Sequence, residues 1–322
     1  MRLAMFCAGV AASICFTHAS CTELTPRGDF HQHVFSDRIL ALLGPDTGLV
    51  ALPSSELMPL LDAAGIRKAV LLSTAYMYGS PQRQVEDEYV RVRQENDWTA
   101  GQAGQFPDRL LAFCGFNPLK EYALVELNRC ASIPGLRRGI KLHLGNSDVQ
   151  LDKPAHVERL REVFAAANAK GMAIVVHLRA NIGKKRPYGK QQARTFLEQV
   201  LPAAPDVVVQ VAHLGGTGPG FEDPPARAVL GVLADAMARR APHTRNLWFD
   251  VASVADPELT PQSAAEMAAR IRQIGVHRVL YGSDSAQGDN LRPREAWAAF
   301  RRLPLSEAEF AQIAGNVPPY CR

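Results

Sequence analysis

Histidine and aspartate carry the chemistry that this sequence can do. Residues 31–33 read His-Gln-His. In an extended strand alternate side chains share a face, so His31 and His33 point the same way. His177, His213 and Asp284 each close a separate apolar run, in AIVVHL, VVVQVAHL and VLYGSDS. An isolated His-x-His is equally at home on a surface strand, and His213 alone reads as a satisfied core histidine. Together the residues form the nitrogen and carboxylate set that zinc or a similar divalent ion takes. Such an ion lowers the pKa of a bound water towards about 7. Asp284 could hold that water and take its proton, while His213 could polarise a carbonyl or protonate a leaving group.

A second group surrounds this set. Lys141 and His143, in GIKLHL, share a face if that strand continues. Arg179, Lys184, Lys185, Arg186 and Tyr188 follow His177 as a basic cluster. A solvated charge run is the plain alternative to a substrate clamp. Arg179 is the residue best placed to hold a carboxylate, because a guanidinium binds two oxygens at once. The Gly-Gly-Thr-Gly turn at 215–218 reads as a tight loop at a pocket mouth, since a glycine cluster alone is weak support for a phosphate cradle.

For these side chains to meet, the elements between them must bring distant strand ends to one place. Eight short apolar runs fall near 27–35, 68–73, 110–116, 139–144, 173–178, 207–214, 247–253 and 279–285. Helical patterns separate them near 54–65, 81–104, 121–132, 154–170, 189–201, 226–241 and 261–274, and two more finish the chain at 293–302 and 306–314. Strands alternating with helices predict a parallel sheet with crossovers. The expected fold is an α/β, eightfold (β/α) TIM-type barrel in a single domain, with an open doubly wound sheet second. No G-x-G-x-x-G follows the first strand, which removes the main support for a dinucleotide site. In a barrel the functional groups sit at the C-terminal strand ends, where His31, His33, Lys141, His143, His177, His213 and Asp284 all fall.

The chain of 322 residues is 47% apolar and 21% charged, enough for one large core. Its net charge of +4 comes without a concentrated basic stripe, which argues against nucleic acid as a partner. A small, anionic substrate is expected, and the sequence leaves a homo-oligomer open. Residues 1–20 read as a signal peptide, with Arg2 ahead of a short apolar run and Ala19-Ser20 behind it, leaving 21–322 as the barrel. The run is too short for a comfortable membrane span. The implied location is exported and periplasmic. Cys21 also fits a lipoprotein site, although His18 stands where such sites favour an aliphatic residue. Cys114, Cys130 and Cys321 are scattered, with no C-x-x-C, so no disulfide framework is expected and Cys114 reads as a small core residue.

Taken in order, His31-Gln32-His33, His177, His213 and Tyr281-Gly282-Ser283-Asp284 resemble the amidohydrolase superfamily. The similarity is to the branch that includes aminocarboxymuconate semialdehyde decarboxylase and 2-pyrone-4,6-dicarboxylate lactonase, and it runs from Asp29 to Asn316. The resemblance implies one divalent metal, commonly Zn2+, with His31, His33, His177 and Asp284 as ligands. Asp284 and His213 would be catalytic, and Lys141, His143 and Arg179 are candidates for substrate binding. A second metal held by a carboxylated Lys141 occurs in other branches and is not favoured here. The expected reaction is hydrolysis of a C–O or C–N bond of a carboxylated molecule through metal-bound hydroxide. Non-oxidative decarboxylation of an aromatic or unsaturated acid is the alternative, and a non-catalytic secreted binding barrel is third. One departure stands out: after Gly315-Asn316 comes Val-Pro-Pro-Tyr, which must stop the last helix.

Overall fold

The computed structural model describes residues 24–47, 49–218, 222–285 and 290–321, so the leader at 1–20 and Cys21 lie outside the described residues. Eight strands follow one another in sequence order and pair in parallel: β1 (Gly28–Gln32), β2 (Lys68–Leu72), β3 (Leu110–Gly115), β4 (Gly139–His143), β5 (Ala173–His177), β6 (Val209–Val211), β7 (Leu247–Asp250) and β8 (Val279–Leu280). The ring closes where the Phe30 amide donates to the Tyr281 carbonyl and the Asp284 amide donates to the His31 carbonyl, each at 2.9 Å. The architecture is the (β/α)8 barrel in one domain. Strands buried on both faces read as unbroken apolar runs, which is why they are legible.

Among the described residues ten α-helices cover the outside: α1 (Asp37–Leu43), α2 (Ser54–Ala63), α3 (Glu88–Gly104), α4 (Ala123–Ser132), α5 (Pro154–Ala169), α6 (Lys190–Thr195), α7 (Pro224–Ala238), α8 (Pro261–Ile274), α9 (Pro293–Phe300) and α10 (Glu307–Gly315). Two differ from expectation. Helix α1 is set by Ser36, whose hydroxyl accepts from the Ile39 amide, a local cap inside a stretch that reads as loop. Helix α3 starts at Glu88 rather than near 81, because the Arg83 amide closes a turn on the Ser80 carbonyl and Asp87 takes a left-handed conformation. Residues 80–87 are therefore a loop above the C-terminal strand ends. No helix among the described residues is long and apolar enough to cross a membrane.

Two apolar cores hold the barrel. The larger lies between strands and helices, with Leu160, Val163 and Phe164 of α5 at its centre. The smaller fills the inside of the ring, where Phe30, Leu72, Phe113, Val175, Trp248 and Leu280 meet Tyr320 from the far end of the chain. The segment after α10 thus turns under the barrel. Asn316 donates to the carbonyls of Val276 and Val279, both at 2.7 Å, and the Tyr320 ring packs edge-on to Phe113 at 5.0 Å. The Val-Pro-Pro-Tyr ending closes the N-terminal mouth of the ring.

The cysteine reading needs correction. Cys114 is buried in the core, but it is bonded to Cys130 of α4 across a Cα separation of 6.3 Å. A strand and the helix that packs on it face each other only after folding, so a spacing of 16 residues gives no sign of the pair.

Candidate active site

At the C-terminal end of the ring lies a cavity of about 560 Å3, lined by His31, His33, Lys141, His143, His177, His213 and Asp284 together with Tyr76. Every histidine singled out from the sequence therefore reaches one chamber. Geometry separates their parts.

His31, at the end of β1, has Nδ1 3.0 Å from Asp250 Oδ2, so the ring donates there and turns the lone pair of Nε2 into the cavity. His33 follows β1, and its Nδ1 donates to the Leu72 carbonyl at 2.6 Å. Its Nε2 faces Asp284 Oδ1 at 3.5 Å. His213 donates from Nδ1 to the Ala252 carbonyl at 2.8 Å, and its Nε2 lies 4.0 Å from Asp284 Oδ2. The same device recurs three times: one ring nitrogen fixed by an oxygen, the other presented. His213 and Asp284 both take left-handed φ of 53°, a conformation that non-glycine residues seldom adopt and that aims both side chains inward.

His31, His33 and Asp284 offer ligand atoms that all lie within 4.8 Å of one another. A second grouping of His31, His213 and Asp250 meets the same spacing. The first is the better fit to a dication. Asp250 is already engaged on both oxygens, by His31, Gln210 (2.7 Å), the His213 amide (2.8 Å) and the Ala252 amide (3.2 Å). Asp284 Oδ1, by contrast, is buried without a hydrogen-bond partner, and a buried carboxylate oxygen left bare is costly unless a cation meets it. His177 stands outside both groupings. It stacks on His143 at 3.8 Å, with which it is in register across β4 and β5, and sits 5.1 Å from the His213 ring.

Burial sets the electrostatics. It pushes the His31, His33, His143 and His177 rings down in pKa, and His213 down to about 3, so these imidazoles are neutral and their lone pairs are available. Burial also pushes Asp284 well above the carboxylate range, with Lys141 opposing. Burial alone would raise Asp250 as well, but its interactions with His31 and His213 together outweigh that and hold Asp250 below its ordinary value. Lys141 is buried, with Nζ 3.1 Å from His31 Nε2, and burial brings it down to about 8.

The glutamine between the two histidines ties β1 to β8 beneath the site. Gln32 donates to Asp29 (3.0 Å), Ser283 (2.6 Å) and Ser285 (2.8 Å), and Ser283 donates to Asp29 at 2.7 Å. Gly282 is needed here, since a Cβ at that position would come 2.7 Å from His31 Cβ.

Arg179 lies apart from the metal-facing groups, in a side recess. It is buried, paired with Asp223 at 2.6 Å and placed over the Tyr188 ring at 4.7 Å. Two site residues have no counterpart in the sequence reading. Asp250 ends β7 in LWFD, where a carboxylate closing an apolar run was a usable signal. Tyr76 sits in the turn after β2 with its ring 5.1 Å from His143, and its hydroxyl has no hydrogen-bond partner among the described residues. A chain of hydrogen bonds continues from the site to the floor of the barrel. Tyr320 Oη donates to Gln210 Oε1 at 2.6 Å, and Gln210 Nε2 donates to Asp250.

An eight-stranded parallel barrel with neutral imidazoles and a buried carboxylate at its C-terminal mouth is the scaffold of a metal-dependent enzyme. The sequence pattern of the amidohydrolase family matches residues 29–316, and the chain belongs to that family. No curated protein matches the sequence. Among solved structures, 5-carboxyvanillate decarboxylase from Sphingomonas paucimobilis is similar at 17% identity and TM-score 0.60, covering 91% of this chain and 97% of that one. Dihydroxybenzoic acid decarboxylase from Polaromonas, with bound manganese and the inhibitor 2-nitroresorcinol, is similar at 16% identity and TM-score 0.60, covering 90% and 95%. A probable 2-pyrone-4,6-dicarboxylic acid hydrolase from Acinetobacter baumannii with citric acid bound follows at 19% and 0.56, covering 90% and 96%. At these identities the likeness is one of fold.

Proposed function

We propose that this protein is a metal-dependent lyase that removes CO2 without oxidation from a small aromatic or unsaturated carboxylic acid. The observation that carries the reading is Asp284: a buried carboxyl with one bare oxygen, between His33 and His213 on the wall of the chamber. His31, His33 and Asp284 would hold one divalent ion, with His177 and His213 close by, and zinc or manganese fits such a set. When bound, the ion supplies Lewis acidity toward the oxygens of the substrate.

The side chains divide the remaining work. Asp284 is placed to pass a proton, received on the oxygen that faces His213, to the ring carbon that bears the carboxylate. The C–C bond to that carboxylate then breaks, its electron pair returns to the ring, and CO2 leaves. One proton is consumed and one C–H bond replaces one C–C bond. His213 and Tyr76 are placed to orient substrate oxygens, and the stacked His143–His177 pair forms a flat wall. The likeness to two decarboxylases across nearly the whole chain supports this reading.

Hydrolysis is the second reading. The same Asp284, as carboxylate, can take a proton from water, and the family description and the likeness to the hydrolase favour it. One incubation separates the two: benzoic acids with an ortho hydroxyl and aryl lactones are supplied side by side. Release of CO2 with the decarboxylated arene is expected; ring-opened acid without CO2 would replace lyase by hydrolase. Export remains part of the proposal, and the Cys114–Cys130 disulfide supports an oxidising compartment.

A further inference from the structure

The N-terminal mouth of the barrel, at the far end from the reacting chamber, is ringed by cations. In a parallel ring every strand starts on the same side, so the segments ahead of the strands share one face. Those segments are 24–27, 64–68, 105–109, 133–138, 170–172, 204–208, 239–246 and 275–278, with the tail at 316–321 beneath them. Together they hold eleven lysines and arginines against two aspartates, Asp108 and Asp206. The face therefore has a surplus of nine positive charges, whereas the whole chain carries only +4, so the rest of the protein is net negative by five. Spaced along the sequence these residues form no run, and only the closure of the barrel gathers them. Arg27, Arg67 and Arg109 border one surface hollow of about 460 Å3, and Arg137 and Arg138 border another of about 600 Å3 beside Tyr320. Arg109 is paired with Asp62 at 2.7 Å, and Arg245 lies 3.9 Å from Asp206. Arg27, Arg67, Lys68, Arg137 and Lys170 are exposed and have no ion pair among the described residues.

Like charges gathered on one face repel one another, and an extended negative partner relieves that cost. The ring is too broad for a single small anion. No phenylalanine, tyrosine or tryptophan in these segments is exposed, so nucleobases would find no ring to stack on. The chain also enters the barrel on this face. The Leu24 carbonyl accepts from Trp297 Nε1 at 2.7 Å, and the Arg27 amide donates to the Ala314 carbonyl at 2.8 Å. The apolar leader expected at 1–20, and Cys21 after it, thus precede the basic face by a few residues. We propose that the N-terminal face of the barrel docks on the anionic phospholipid surface of a bilayer, leaving the reacting chamber open to solvent on the opposite side. Basic side chains are drawn to such a surface within about a Debye length, without insertion into the hydrocarbon. The docking is independent of the reaction assigned above.

Co-sedimentation with vesicles tests it. The protein, expressed with its leader and purified as the cell processes it, is mixed with vesicles of phosphatidylcholine alone or of phosphatidylcholine with phosphatidylglycerol. Wild type should bind the mixed vesicles at least tenfold more strongly than the neutral ones. Raising the salt from about 0.1 M to about 1 M, which shortens the Debye length from roughly 10 to roughly 3 Å, should release it. Each cation near such a surface is worth about fivefold, so Arg67→Gln/Lys68→Gln should weaken binding by roughly 25-fold. Lys153→Gln/Lys190→Gln removes the same charge from exposed positions at the chamber end and should change binding by less than about threefold, since charges beyond a Debye length are screened. No preference for the anionic vesicles, or an equal loss in both double variants, overturns the proposal. Salt-resistant adhesion to both kinds of vesicle, unchanged in Arg67→Gln/Lys68→Gln, would also overturn it by assigning the contact to the leader. Tighter binding to a duplex oligonucleotide than to the mixed vesicles, lost in the same variant, would give the face to nucleic acid instead. Circular dichroism of each variant guards against a folding defect.

Discussion

Asp250→Asn is the most informative single change, because it alters one atom type at the hinge of the site. Asp250 is fully buried and accepts from His31 Nδ1 (3.0 Å), Gln210 Nε2 (2.7 Å), the His213 amide (2.8 Å) and the Ala252 amide (3.2 Å). In the asparagine variant the carbonyl can keep the two backbone donors, which converge on Oδ1. The NH2 then occupies the Oδ2 position, where His31 and Gln210 both donate. Gln210 is locked in its present orientation by Tyr320, which donates to its Oε1 at 2.6 Å. Relief comes from His31: it moves its proton to Nε2, accepts at Nδ1, and loses the lone pair it presented to the cavity. Removing such an orienting partner costs about 10- to 100-fold in metal affinity, or roughly 1.4–2.7 kcal/mol. Competition against a chromophoric chelator reads this directly. The expected result is weakened Zn2+ or Mn2+ binding in a protein with unchanged circular dichroism. Wild-type affinity in Asp250→Asn would refute the argument that His31 is a ligand held by Asp250.

Two further outcomes concern the scaffold. Cys114 and Cys130 close a short loop, and a cross-link of that span contributes about 3 kcal/mol, so replacing both by alanine should lower the unfolding free energy by that order. Equal denaturant midpoints with and without reductant would contradict it. Asp148 is lowered in pKa chiefly by its hydrogen bonds from Arg186, with Lys184 adding to it. A carboxyl depressed in the fold stabilises above its unfolded pKa near 3.9 and loses that contribution as the pH falls through the folded value. The stability gap between wild type and Asp148→Asn should be up to about 1 kcal/mol at pH 7 and close as the pH drops below about 4; a gap independent of pH refutes the pairing.

Strand order and barrel closure were legible because parallel strands buried on both faces leave continuous apolar runs, and because strand ends carry His31, His33, His177, His213 and Asp284 in sequence. What sequence could not display is how groups are shared once strands are adjacent. His143 and His177 are each plausible ligands alone, yet lateral register stacks them on each other. Arg179 reads as a free clamp until Asp223, 44 residues later, is folded against it. Asp250 looks like the polar end of a core strand, and only its four hydrogen bonds reveal an orienting role. The Cys114–Cys130 pair and the Tyr320 contact beneath the ring are likewise tertiary facts. Helix α1 is the exception, since Ser36 ahead of Asp37 carried a local capping signal that was there to be read.

The most direct test is the metal content of the purified, folded protein by mass spectrometry, in wild type, His33→Ala and Asp284→Ala. One equivalent of a divalent transition metal per wild-type chain, removed by chelator together with turnover and absent from both variants, is the expected result. Full turnover by a metal-free chain, or undiminished metal in both variants, would contradict a centre built on His31, His33 and Asp284.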